Sequence, residues 1–182
     1  PGLVQLTVKE NLKFLKGIRV KATVSLKDKN GKILDKSEGE ILFADYGLSG
    51  IAIMDVSRSV RGNNCICSLD ILPDIKNEVV YEFIAKAKKR NPSLLLEDAL
   101  CGILPKKVGY LIIKNSGFRQ DITLRELRNE DINKFVCNMK NCIFTVTGTR
   151  GFDSAQITVG GAVFNEFDTK TLESKIAEGL YC

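Results

Sequence analysis

The sequence contains no histidine. A Ser-His or Cys-His nucleophilic pair therefore cannot be assembled within this chain, and the usual general base near neutral pH is missing. Its six cysteines, at 65, 67, 101, 137, 142 and 182, include no C-x-x-C pair. Without histidine a zinc site would need four of these thiolates, and their spacing does not suggest one. They fall in apolar stretches and read as buried thiols of a reducing, cytoplasmic compartment. No run of about 18 apolar residues exists, so no membrane partner is expected. The N-terminus lacks the charged and small-residue features of a signal peptide. No G-x-G-x-x-G follows a strand and opens a helix, so the dinucleotide fingerprint is absent as well. Internal repeats and low-complexity tracts are also missing.

What remains is an ordinary globular composition. The chain has 182 residues, 44% hydrophobic and 27% charged, enough for one domain or two small ones. Its net charge of +5 does not compel a nucleic-acid partner.

The first seventy or so residues are β in character. Ile18, Val20, Ala22, Val24 and Leu26 alternate with polar residues across Gly17–Asp28, the signature of a half-buried antiparallel strand. Asn30-Gly31 predicts a two-residue type I′ hairpin turn into a partner strand over Lys32–Ser37. Further strands are expected at Leu3–Val8, at Glu40–Phe43, and over Cys65–Leu72. Tyr46–Gly50 breaks the pattern, and Ile51–Arg58 reads as a short buried helix with Ser49 as its N-cap. Strands of this kind, one face apolar, suggest a small barrel or a sandwich.

From Pro73 to Lys140 the period becomes helical. A helix starting near Asp74 would bury Ile75, Val79, Val80, Phe83, Ile84 and Ala87, and Asn91-Pro92 would end it. A second helix, capped by Ser93, would stop at Gly102. A third begins at Pro105 and ends at Asn115–Gly117. Thr123–Glu126 is a capping-box pattern, and Asp131–Lys140 is a last helix. Cys142–Thr147 and Ala155–Val159 return to strand character. The order strands, helices, strands gives an α+β fold, a β-domain with an inserted helical subdomain.

Lys86–Arg90 with Lys106-Lys107 is the one basic cluster. It fits either a phosphate-contacting surface or a solvated helical turn, and no aromatics interleave with it. The cluster keeps open an alternative function as a nucleic-acid or protein binding module, with nucleic acid the less expected partner. Gly148–Gly151 and Val159–Gly161 are tight-turn candidates. The second interrupts a strand, where glycine often admits a ligand or another backbone. At the C-terminus, Gly179–Cys182 reads as a turn glycine followed by the start of a buried strand. The expectation is a piece of a longer protein.

Three stretches, Glu40–Ile53 (EILFADYGLSGIAI), Phe152–Ala162 (FDSAQITVGGA) and Lys170–Lys175 (KTLESK) leading into Gly179–Cys182, together resemble the YhiN/BaiN-type flavoproteins, NAD(P)/FAD-dependent oxidoreductases. Leu3–Leu6 is similar to the point where that family leaves its FAD-binding domain. The resemblance implies a small antiparallel β-barrel (residues 1–72 and 141–165) carrying a helical subdomain (73–140), with 166–182 returning to an FAD-binding domain of the same polypeptide. It further implies that FAD, with NAD(P)H as a possible electron donor, serves the parent protein and an unknown small-molecule substrate. No catalytic residue would lie in this chain. Thr158, Gly160 and Gly161 are similar to the family's T-x-G-G segment near the flavin ring, and Glu173, Ser174 and Lys175 to its M-E-S-K return, so these six are the implied cofactor-binding residues. The chain departs from the family in having Ala44-Asp45 for Thr-His, Ile51 for proline, and Leu172 for methionine.

Overall fold

The computed structural model describes residues 1–60, 62 and 65–182. Six antiparallel strands close into a barrel: β1 (Leu6–Val8), β2 (Arg19–Lys27), β3 (Ile33–Ala44), β4 (Gly47–Ser49), β5 (Cys65–Asp70) and β6 (Cys142–Thr149). Their order around the ring is β1-β4-β3-β2-β5-β6, with β6 returning to β1. Each strand has a neighbour on both sides, although β4 covers only Leu42–Ala44 of β3, whose Ile33–Ile41 stretch pairs with β2 alone among the described residues. The alternation read in β2 holds. Ala22, Val24 and Leu26 are fully buried in the barrel, where they meet Ile41 and Phe43 of β3, Leu69 of β5 and Phe144 of β6.

β3 is one strand of twelve residues, not the two expected at Lys32–Ser37 and Glu40–Phe43. Its inward half is polar because a helix, α1 (Ile51–Ser57), packs on it. Ser37 donates to Asp55 (3.0 Å), Ser59 donates to Asp35 (2.7 Å), and Gly39 lies under Ala52. The Ser59 hydroxyl, with Arg58 nearby, holds the Asp35 carboxyl below its usual range. Ser49 does not cap α1. It ends β4, paired with Leu42, and Gly50 occupies the cap position with no side-chain cap bond.

The hairpin between β2 and β3 also differs from expectation. Gly31 has φ +83°, but Asn30 does not share it, so the turn is not type I′. The Gly31 N–H donates to the Asp28 carbonyl (3.0 Å) and the Asp28 N–H to the Lys32 carbonyl (2.9 Å), a type I turn with a left-handed glycine behind it. The Asp28 carboxylate favours this form by accepting from the N–H groups of Asn30 and Lys32 (2.8 and 2.9 Å). Gly31→Val should lower stability by about 1 kcal/mol or more, since a β-branched residue resists positive φ. A thermal melt unchanged by the substitution would contradict this turn geometry.

Between β5 and β6 lies the helical block: α2 (Asn77–Arg90), α3 (Leu96–Leu100), α4 (Lys106–Asn115) and α5 (Asn129–Lys140). α2 pairs with α5, and α4 with both α3 and α5. On α2 only Val80 and Ile84 are buried; Val79 and Phe83 are partly exposed, contrary to the face expected of them. Ser93 does not cap α3, whose cap position is Leu95; its hydroxyl instead accepts from Arg125 (2.6 Å). The capping box at Thr123–Glu126 is present, closing a 3-10 turn ahead of α5.

The block is pinned to the barrel where the chain crosses between them. Lys140, at the end of α5, pairs with Asp70 (2.7 Å) and donates to the carbonyls of Leu72 and Ile75. The Ile71 N–H donates to the Met139 carbonyl (3.0 Å). Among the described residues, no helix is long and apolar enough to cross a membrane.

Candidate functional site

The segment following β6 differs in kind from the rest of the chain. Ala155–Val159 is not a strand. Its one pairing among the described residues is a bridge between Leu3 and Ile157, supported by Gly2 N–H to the Ile157 carbonyl and Gln156 N–H to the Leu3 carbonyl (2.8 Å each). The Arg150 N–H also donates to the Gln5 carbonyl (3.1 Å). The stretch entering β1 and the stretch leaving β6 thus lie antiparallel, side by side, as a two-stranded neck. Arg150 stacks its guanidinium on the Tyr46 ring, 4.5 Å from the centroid, where the neck meets the barrel.

Past the neck, Thr158, Gly160 and Gly161 are exposed on irregular backbone. Both glycines have positive φ (+128° and +152°), and nothing lies within 4 Å of where a Cβ would stand. From Thr158 to Val163 no backbone N–H has a hydrogen-bond partner among the described residues. This is a run of free donors with two positions clear of side chain, and an acceptor-bearing planar ring could approach it closely.

Glu173, Ser174 and Lys175 sit in a separate, locally bonded loop. The Asp168 N–H donates to the Glu173 carbonyl, Ser174 N–H to the Leu180 carbonyl, and Lys175 N–H to the Glu166 carbonyl, at 2.7–2.8 Å. The Ser174 hydroxyl accepts from Ile176 and Ala177 N–H (3.1 Å each), and the Glu173 carboxylate from Gly179 N–H (3.1 Å). Asp168 accepts from the N–H groups of Thr171 and Lys170, which hold its carboxyl below the usual range. Leu172, beside Glu173, is the one described non-glycine residue with positive φ (+61°). Conformational strain of this kind costs about 1–2 kcal/mol. No hydrogen bond links this loop to Thr158–Gly161 among the described residues. Leu180 and Tyr181 are exposed, so Gly179–Cys182 does not begin a buried strand within this chain; Tyr181 makes a single bridge, to Glu173.

The other expectations fare unevenly. Cys65, Cys67 and Cys142 are buried, and burial pushes the Cys67 and Cys142 thiols up to about 12, so they stay protonated. Cys101, Cys137 and Cys182 are exposed, against expectation. In the basic cluster, Lys86 pairs with Glu82, Lys106 with Glu97 and Asp98, and Lys88 donates to the Leu127 carbonyl. Three of its six cations are engaged in this way, while Lys89, Arg90 and Lys107 have no such partner among the described residues. The neck is not legible in the sequence, since it arises from pairing between residues about 150 positions apart.

Fold and site together define a small closed antiparallel barrel, interrupted by a helical block and followed by an exposed, donor-rich segment. The chain belongs to the family described as "HI0933-like protein barrel and H2TH domain", whose profile matches residues 1–157. It is similar to the 3-dehydro-bile acid delta(4,6)-reductase of Clostridium scindens, with 30% identity covering 100% of this chain and 46% of that protein. It is also similar to the ribosomal RNA dihydrouridine synthases of Haemophilus influenzae (31% identity, 99% of this chain and 43% of that protein) and Escherichia coli (27%, 99% and 44%). The chain therefore spans just under half the length of these curated relatives.

Proposed function

We propose that this chain is the insert domain of a larger, cytoplasmic FAD-dependent oxidoreductase that draws electrons from NAD(P)H, and that it covers the flavin and shapes the substrate pocket. The observation that carries this reading is the placement of uncovered apolar surface. Nine of the fourteen large apolar side chains exposed among the described residues lie between Phe152 and Tyr181, including Phe164 at 77% and Ile176 at 73% exposure. Surface of this kind marks a docking face. Its occupant in this reading is the FAD-binding domain of the same polypeptide, since more than half of each relative's length lies outside the matched region. The neck supports the same reading. Adjacent entering and leaving segments are what a domain inserted into a host requires.

Within the parent, FAD supplies the redox chemistry. This chain's part is positional. The free N–H groups between Thr158 and Gly161 would donate to the flavin ring, which Gly160 and Gly161 leave room to approach. The loop holding Glu173, Ser174 and Lys175 would lead the backbone into the host domain beside the cofactor. The relatives named as a reductase and as dihydrouridine synthases support a reading of the parent as an enzyme of reduction, acting on a substrate that this chain would help enclose.

The test is expression of the chain and of its full-length parent. The chain alone should be colourless and the parent yellow, oxidising NADH or NADPH. Replacing Gly160 and Gly161 together by valine in the parent should perturb the flavin spectrum and slow turnover without moving the melting of the barrel. A chain that retains stoichiometric flavin by itself, or a parent without flavin, would overturn the reading.

A further inference from the structure

The barrel has one stretch of sheet edge that no strand covers. Leu42 and Ala44 of β3 face Ser49 and Gly47 of β4, but from Ile33 to Ile41 the strand has β2 on one side and no strand on the other among the described residues. α1 and the Ser59 turn behind it support this stretch from inside, through Asp35, Ser37 and Gly39, and add no strand to its edge. In an antiparallel ladder alternate residues turn their backbone N–H and carbonyl groups to opposite sides. The Phe43 N–H donates to the Ile18 carbonyl (2.9 Å), so Ile41, Gly39, Ser37 and Asp35 bond toward β2 as well. Lys36, Glu38 and Glu40 therefore turn theirs to the open side. The Lys36 N–H agrees with this: it donates to the neighbouring Asp35 carboxylate (2.9 Å).

An open edge is a template for another strand, and its side chains decide which strand fits. A lysine on an edge ordinarily discourages pairing. Here Lys36 and Glu38 carry opposite charges two residues apart, and both are exposed. When two copies of this edge meet antiparallel, the even-numbered residues must oppose one another, because they hold the outward N–H and carbonyl groups. Centred on Lys36, that pairing sets lysine against lysine; centred on Glu38, it sets glutamate against glutamate. Centred on Ser37, Lys36 of each copy stands opposite Glu38 of the other, on both sides of a two-fold axis. Asp35 then opposes Gly39, which has no side chain to crowd it. Among the described residues Asp35, Glu38 and Glu40 each already pair with a cation, whereas Lys36 has no carboxylate partner in the single chain. The same register carries Ile33 of each copy, 55% exposed, to the corner where Gly50 abuts the Glu40 carbonyl and Ile51 stands 68% exposed.

We propose that the protein pairs with a second copy of itself along the β3 edge, two-fold about Ser37. The Lys36 N–H of one copy leaves Asp35 and donates to the Glu38 carbonyl of the other, the Glu38 N–H donates to the Lys36 carbonyl, and the two side chains pair across the seam. The sheet then runs from one barrel into the next. A contact of this size gives a weak dimer whose population rises with concentration. The proposal does not rest on the flavoprotein reading, because every residue it uses lies in this chain.

Sedimentation equilibrium of the chain and of its full-length parent, at concentrations up to about 1 mM, tests it. Both should show a monomer–dimer equilibrium, and dilution of the isotope-labelled chain should shift the backbone amides of residues 33–41 in its NMR spectrum. Lys36→Glu and Glu38→Lys, both at exposed positions, should each weaken association about tenfold with the melting temperature little changed. The double variant should restore it, since it exchanges the charges across the axis and keeps the register. An equal mixture of the two single variants should form a heterodimer for the same reason. Monomers at every concentration, a double variant as weak as the single ones, or amide shifts confined to another face would overturn the proposal. So would a dimeric chain beside a monomeric parent, which would give the edge to the parent's other domain.

Discussion

Phe144→Ala is expected to remove a large share of the stability of the barrel, about 3–5 kcal/mol. Phe144 is fully buried on β6, the strand that closes the ring against β1. Its ring meets Phe43 of β3 across the barrel interior, centroids 6.2 Å apart and tilted by 58°. Truncation removes the transfer energy of the ring and also leaves a cavity between strands that cannot collapse, because both neighbours of β6 are hydrogen-bonded into a closed ring. A domain of this size has only about 5–15 kcal/mol to lose. Urea denaturation should show a large fall in midpoint with an unchanged slope. Phe152→Ala provides the contrast. That side chain is 66% exposed, so the same truncation should shift the midpoint of the isolated chain little. A loss below about 1 kcal/mol for Phe144→Ala would mean that the two rings do not hold the barrel interior together.

The second large effect is expected at Gly50, where β4 hands over to α1. Its φ of +97° and ψ of 164° belong to a region that only glycine enters freely. A Cβ there would stand 2.5 Å from the Glu40 carbonyl oxygen and 2.8 Å from the Ile41 Cα. These are backbone atoms of β3 inside the ladder, so no side-chain rotation relieves the clash. Gly50→Ala should therefore cost about 3 kcal/mol or more, conformational strain and overpacking together. Gly39→Ala is the control. Gly39 lies in β3 with ordinary φ, and a Cβ would make normal contact with Ala52 at 3.6 Å. That change should be neutral or slightly stabilising, because alanine loses less chain entropy on folding. Equal melting temperatures for the two variants would sink the account of the β4–α1 junction.

The two substitutions also divide what could be foreseen from what could not. Alternation alone located β2, because Ala22, Val24 and Leu26 bury one face whatever they meet. The capping box at Thr123–Glu126 was equally legible, since its donors and acceptors lie within four residues. The sequence predicts two strands where β3 is one, because Asp35, Ser37 and Gly39 do not form an apolar inward face. They become one only when α1 brings Asp55, Ser59 and Ala52 against them. Tyr46–Gly50 reads as a break for the same reason. β4 is three residues long and exists through its partners β1 and β3.

The sequence by itself determined the composition of the layers: a β region, a helical block set inside it, no histidine for catalysis, and the family. These depend on local period and residue inventory, which need no partner. Tertiary structure decided that the strands close into a ring and that the chain enters and leaves through one paired neck. Each of these rests on contacts between residues roughly 20 to 150 positions apart, and hydrophobic period along a chain carries no information about which distant element will supply the other half.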